Sequence, residues 1–164
     1  MSTPFELVIS RTIQAPRERV FKAFIDAKHL QQWWGPNGYE MHVSKSDLRP
    51  DGIFHYKQRS PEGEELWAKL VYKEIVEPEK IVFTNSFANE EGQTIRAPFS
   101  STWPLEILNN FTFEEVDGQT TLTMRSVPVS PTVDELQTFE ASQEMLQIGF
   151  GGTLDQLADY LTKM

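Results

Sequence analysis

"LEILNNFTFEEVDGQTTLTMRSV", residues 105–127, reads as two strands folded back on each other. Residues 105–116 carry apolar side chains at Ile107 and Phe111, and residues 119–127 pair back across Asp117-Gly118. A two-residue Asp-Gly connection suits the tight turn whose backbone twist matches that of the flanking strands. The hairpin commits this part of the chain to antiparallel pairing.

The segments upstream repeat the pattern. Residues 39–48 alternate through Tyr39, Met41 and Val43, and "RPDG" (49–52) supplies turn residues. Residues 53–60 form the next expected strand, followed by a turn at "PEGE" (61–64). Residues 66–76 alternate through Leu66, Ala68, Leu70 and Tyr72, and "EPEK" (77–80) turns again. Residues 81–88 place Ile81, Phe83 and Phe87 on one parity. Residues 5–14 add a first strand, with Phe5, Leu7, Ile9 and Ile13 near one parity.

Helices are expected at both ends of this run. Pro16 stands where a helix begins, and Val20, Phe21, Phe24 and Ile25 follow at helical spacing. Asp26-Ala27 breaks it. Leu30, Trp33 and Trp34 then give i, i+3, i+4 spacing for a second short helix, stopped by Gly35-Pro36. Near the end, Thr132 and Glu135 form a capping-box pattern. Leu146, Phe150, Leu154, Leu157 and Leu161 draw an apolar stripe along a long final helix. "GFGG" (149–152) interrupts it, since each glycine costs about 1 kcal/mol against alanine inside a helix. The tail therefore bends or divides there, the helix packs closely on the sheet, or the bare backbone leaves room for a ligand.

Strand, two short helices, about six to seven strands and a long helix make an α+β domain with one face of the sheet covered. The 164 residues suit a single domain, 1–164, and the aromatic content is concentrated in eleven phenylalanines and four tryptophans. The formal charge of −9, with no basic run, argues against nucleic acid and anionic membranes as partners. The absence of cysteine excludes disulfides, thiolate catalysis and Cys-based metal sites, and fits a reducing compartment. Without a signal-like start or an apolar run of about 18 residues, a cytoplasmic protein is expected.

Several words in this order resemble a known family: "APRERVFKAFID" (15–26), "KHLQQWWGP" (28–36), "DLRPDG" (47–52), "YKEIVEPEKIVFT" (72–84), "FTFEEVDGQTTLTMR" (111–125) and "GFGGTLDQLADYL" (149–161). Together they resemble the START-like (SRPBCC) superfamily with the helix-grip fold. The branch is the one related to the C-terminal domain of the activator of the heat-shock-90 chaperone ATPase. The resemblance implies a sheet curled around a long C-terminal helix, with a cavity between them in many relatives.

No residue stands out as catalytic. His42 is expected to face solvent, the side taken by His55 is open, and no HExxH or other ligand spacing suggests a metal. No serine sits in a Gly-x-Ser-x-Gly elbow. No cofactor is implied. The loop 89–104 is long enough for a lid or binding loop, or is a surface loop anchored by Phe99 and Trp103. Arg96 within it suits an acidic group on a ligand. Asn85 and Asn109 occupy otherwise apolar strand positions and need partners, from the protein, from a wet pocket or from a bulge that turns them outward.

The expected function is binding of a small, largely apolar molecule, whether lipid-like, aromatic or polyketide-like. Its candidate wall is Trp33, Trp34, Phe54, Tyr56, Trp67, Tyr72, Phe83, Asn85, Arg96, Phe99, Trp103, Asn109, Met124, Met145 and Phe150. Strand parity makes Trp67 its weakest member. Of the tryptophan pair, one ring is expected in the core and the other at the cavity mouth, 100° apart on the helix. Two alternatives stand beside this one. A chaperone-associated or stress-response helper would act through its surface, and a cyclase- or hydrolase-type enzyme needs an acid or base inside the pocket. A homodimer is compatible with any of them.

Overall fold

The computed structural model describes residues 6–36 and 38–164. The calls on Phe5 and on Asn37 of the Gly-Pro-Asn-Gly stretch lie outside these residues. Among the described residues the elements are β1 (Leu7–Ile13), α1 (Arg17–Phe24), α2 (Ala27–Trp33), β2 (Glu40–Ser46), β3 (Ile53–Arg59), β4 (Glu65–Val76), β5 (Lys80–Ala88), β6 (Thr94–Ile95), β7 (Ile107–Val116), β8 (Gln119–Pro128), α3 (Val133–Ala141) and α4 (Gln143–Lys163). The fold is α+β of the helix-grip kind, with a curved, unclosed antiparallel sheet and a long C-terminal helix. The main path runs β1-β8-β7-β5-β4-β3-β2, and β6 pairs only with β5. The sheet therefore has eight strands, the extra one being a two-residue strand inside the segment expected to be loop.

Local chemistry explains the boundaries. Asp117 and Gly118 both have positive φ, 54° and 77°, as a two-residue primed turn requires. Pro16 precedes α1 in extended backbone, and Asp26 caps α2 by accepting from the Lys28 N–H at 2.9 Å. The Thr132–Glu135 capping box is complete, with each side chain accepting from the other residue's N–H.

Two helix expectations are corrected. α2 ends at Trp33, and Trp34 is its C-cap in extended backbone (φ −73°, ψ 132°), so the two rings diverge because the helix has stopped. Gly35 follows at φ +106°, a conformation that favours glycine, and a Cβ there would displace the end of the Gln58 side chain. The tail divides at Ser142, between α3 and α4, while α4 runs unbroken through Gly149–Gly152. Close packing does not explain these glycines either. A Cβ on Gly149 or Gly152 would meet nothing within 4 Å, and one on Gly151 only the Arg11 side chain at 3.8 Å.

The inner face of the sheet falls into cross-strand rows. Tyr72, Phe83, Asn109 and Ser126 form one, Phe54, Leu70, Asn85 and Ile107 the next, and Tyr56, Ala68 and Phe87 a third. The first belongs largely to the main core, where Trp33, Phe21, Phe24, Phe111 and Phe113 pack with Leu154, Leu157 and Leu161 of α4. A smaller cluster of Leu7, Ile107 and Phe139 gathers Trp103, Leu146 and Phe150 under α3. Burial of the large rings supplies most of the driving force for this arrangement. Among the described residues no helix is long and apolar enough to cross a membrane.

Candidate functional site

Between the two apolar clusters the N-terminal half of α4 covers the sheet without filling the space beneath it. A cavity of about 320 Å³ remains, and it opens to solvent. Its floor is the third row of the sheet, Tyr56, Ala68 and Phe87, extended by Gln58 and Asn85. Its roof is one face of α4: Met145, Leu146, Gly149, Phe150 and Thr153. Trp34-Gly35-Pro36 and Trp103 close the sides.

α4 is pinned over this space at its middle. Gly35 O accepts from Thr153 Oγ1 at 3.0 Å and from Gln156 Nε2 at 2.8 Å, and Arg11 pairs with Asp155 at 2.6 Å. The unbranched peptide at Gly35 thus serves the turn, the contact with Gln58 and the anchoring of the helix together.

Six of the fifteen expected wall residues meet in this lining: Trp34, Tyr56, Asn85, Trp103, Met145 and Phe150. Trp33, Phe54, Tyr72, Phe83 and Met124 share the inner side but lie in the main core. Asn109 is buried and satisfied by the protein, donating to Ile107 O and Asn85 Oδ1 and accepting from Ser126 Oγ. Trp67 stands in line with His55 and Lys69 on the other side of the sheet, stacked on the His55 ring at 4.8 Å. His55, whose side the sequence left open, is buried there against Asn89 O at 3.0 Å, and His42 is exposed as expected.

The loop residues divide. Trp103 reaches the cavity, while Phe99 is 66% exposed with its edge toward Phe87. Arg96 is turned to the protein instead of the cavity: it pairs with Glu135 of α3 and donates to Trp103 O. Gln58, Ala68, Phe87, Leu146 and Thr153 line the cavity and were missed, whereas Gly149 lines it in keeping with the reading that the bare backbone of the 149–152 glycines leaves room for a ligand. Parity signalled two of them, since Gln58 and Phe87 each follow a named residue, Tyr56 and Asn85, by two positions.

Polar groups in the wall are few and neutral. Trp34 Nε1 donates to Tyr56 Oη at 3.2 Å, and burial pushes the Tyr56 phenol up to about 12. Burial, with the Tyr56 phenol next to it, also raises Tyr72, whose hydroxyl is enclosed without a partner among the described residues. No aspartate, glutamate, histidine, lysine or arginine is in the lining, and the described residues hold no cluster of three metal-ligating side chains.

The family described as "Activator of Hsp90 ATPase homolog 1-like protein" matches residues 14–162. The chain belongs to this family. Its wider superfamily is known for ligand-binding cavities. Solved structures of similar fold include a protein of Arthrobacter aurescens, 20% identical with a TM-score of 0.81, covering 100% of this chain and 91% of that one. A protein of Staphylococcus epidermidis is 24% identical with a TM-score of 0.80, at 99% and 93% coverage. One from Mycobacterium smegmatis is 25% identical with a TM-score of 0.71, at 96% and 88% coverage. No curated protein matches the chain.

In this member of the family the side wall at Trp103 is tied down by an ion pair. The Arg96 guanidinium, then the Thr132 N–H, hold the buried Glu135 carboxyl below the ordinary glutamate range. A lowered pKa contributes stability that is present above the unfolded value, about 4.3, and is lost as pH falls through the folded one. In urea melts from pH 7 down to pH 3, Glu135→Gln is therefore expected to show a shallower loss of stability than the parent. Parallel pH profiles for the two proteins would remove Glu135 from the acid transition.

Proposed function

We propose that this protein binds a small, largely apolar molecule between the sheet and α4. One observation carries the reading: the smallest side chains stand where the cavity is. Ala68 in the floor and Gly149 in the roof keep open a space that larger residues would close, and a Cβ on Gly149 would meet nothing within 4 Å. A glycine inside a helix costs up to about 1 kcal/mol against alanine, and keeping the cavity open accounts for one at position 149. The aromatic side walls, Trp34 and Trp103, offer large contact areas to an apolar guest.

The lining also bears on the alternative of an enzyme. Tyr56 is its one ionisable group among the described residues, and burial keeps that phenol protonated at neutral pH. General acid–base work near neutrality needs a group with a pKa close to the working pH. The composition of the wall therefore supports holding a molecule over transforming it by proton transfer. A cytoplasmic setting is part of this proposal and is supported by the cysteine-free sequence.

The test is native mass spectrometry after incubation with a cell extract. The expected result is a small-molecule adduct that survives buffer exchange and is released on denaturation. Protein recovered at its bare mass from extracts of several sources counts against a binding role.

A further inference from the structure

The orientation of Asn85 can be fixed from its neighbours. Asn109 Nδ2 lies 3.1 Å from Ile107 O, a backbone carbonyl that only accepts, and Ser126 Oγ is 2.6 Å from Asn109 Oδ1. The amide of Asn109 is therefore set, with its nitrogen toward Asn85. The Asn85 atom 2.7 Å from that nitrogen must be an acceptor, so it is Oδ1. The Asn85 Nδ2 group is left without a partner among the described residues, on a side chain that lines the cavity.

Tyr56 follows the same logic. The indole N–H of Trp34 can only donate, so the Tyr56 oxygen accepts and its own proton stays uncommitted. Gln58 Nε2 also lacks a partner among the described residues, but it is fully enclosed and is not offered to a guest. The wall thus offers uncommitted donors and no formal charge of either sign. An ionised guest would be desolvated there without a counter-charge.

We propose that the cavity selects a neutral molecule with an apolar body and a carbonyl-type acceptor oxygen, which Asn85 Nδ2 binds, with the Tyr56 hydroxyl as a second donor. This rests on the cavity being a binding site. A hydrocarbon guest would cover these donors and leave them unpaired, whereas a ketone, ester or quinone oxygen would satisfy them.

The experiment compares benzophenone with diphenylmethane, which has the same two rings and a methylene in place of the carbonyl. Affinities are measured by equilibrium dialysis for the parent protein and Asn85→Leu. The quantity read is the ratio of ketone to hydrocarbon affinity, because the hydration of each probe cancels between the two proteins. That ratio is expected to fall about fivefold to tenfold in Asn85→Leu, the worth of one neutral hydrogen bond. Asn85→Asp at pH 8 is the second variant; it keeps an acceptor for Asn109 Nδ2, removes the donor, and is expected to lower the ratio likewise. A ratio unchanged in both variants while both probes bind overturns the donor assignment and leaves the cavity reading standing. Failure of the parent to bind either probe up to its solubility overturns both.

Discussion

Trp33→Ala is expected to cost about 4 kcal/mol of folding stability, near the middle of the range for removing a buried Trp or Phe side chain. Trp33 is 2% exposed. Its ring meets Phe24 edge-on at 4.8 Å and Trp34 at 5.5 Å, and its Nε1 donates to Ala23 O at 3.0 Å. Alanine would therefore open a void and also leave a buried carbonyl in α1 without its indole donor. Domains of this size are commonly stable by about 5–15 kcal/mol in total, so the variant would be close to marginal. Urea denaturation at 25 °C provides the measurement, with Trp33→Phe as a milder substitution that retains a ring. A loss below about 1 kcal/mol for the alanine variant would show that the surrounding helices collapse to fill the site.

The adjacent Trp34 should behave differently, because the chain leaves helical geometry between the two residues. Trp34 is half-buried at the cavity, and its indole N–H serves Tyr56. The doubled tryptophan thus joins a core residue to a wall residue across a helix end. The Gly35-Pro36 stop was legible in the sequence; that it comes one residue early enough to free Trp34 was not, since i, i+4 spacing fits a longer helix equally well.

The same contrast runs through the rest of the molecule. The Asp117-Gly118 turn and the Thr132–Glu135 cap were legible because each is a local device whose partners lie within a few residues. Alternation likewise put Tyr72, Phe83 and Asn85 on the parity that faces inward, but it left open the side taken by residues 53–60, and with it the face of Phe54 and Tyr56. It gave no position along the strands, and that is where the site expectations divided. Phe54, Tyr72 and Phe83 lie in the main core that also takes in Leu154, Leu157 and Leu161 of α4, whereas Tyr56, Gln58 and Phe87 line the cavity. Which end of a sheet a helix presses on is decided by tertiary contacts such as those between Gly35 and residues 153 and 156, which are about 120 positions apart. Arg96 was misjudged for a related reason. Its partner, Glu135, already had a visible local role in the capping box, and nothing local announced a second one.

Gly149→Phe is expected to abolish binding of small apolar molecules while leaving the fold intact. An apolar cavity of about 150 Å³ is enough to hold benzene, so a phenyl side chain would take up about half of the 320 Å³ present here. Position 149 sits in the middle of the lining face of α4, between Met145 and Thr153, and its Cβ would start in open space. Replacing a helical glycine removes a penalty of up to about 1 kcal/mol, part of which phenylalanine recovers, so the melting temperature should hold or rise. Ala68→Phe fills the same space from the floor and should have the same effect on binding. Gly152→Ala is the control: it relieves a helical glycine outside the lining, so it should stabilise the protein and leave affinity unchanged. The combination expected is therefore loss of affinity by at least about a hundredfold in both filled variants, with stability equal to or above that of the parent. Retained affinity in both, with the proteins folded, would move the binding site away from the space beneath α4. Stability and binding are opposed at position 149 if the glycine is there for a guest, and a side chain there tests that opposition directly.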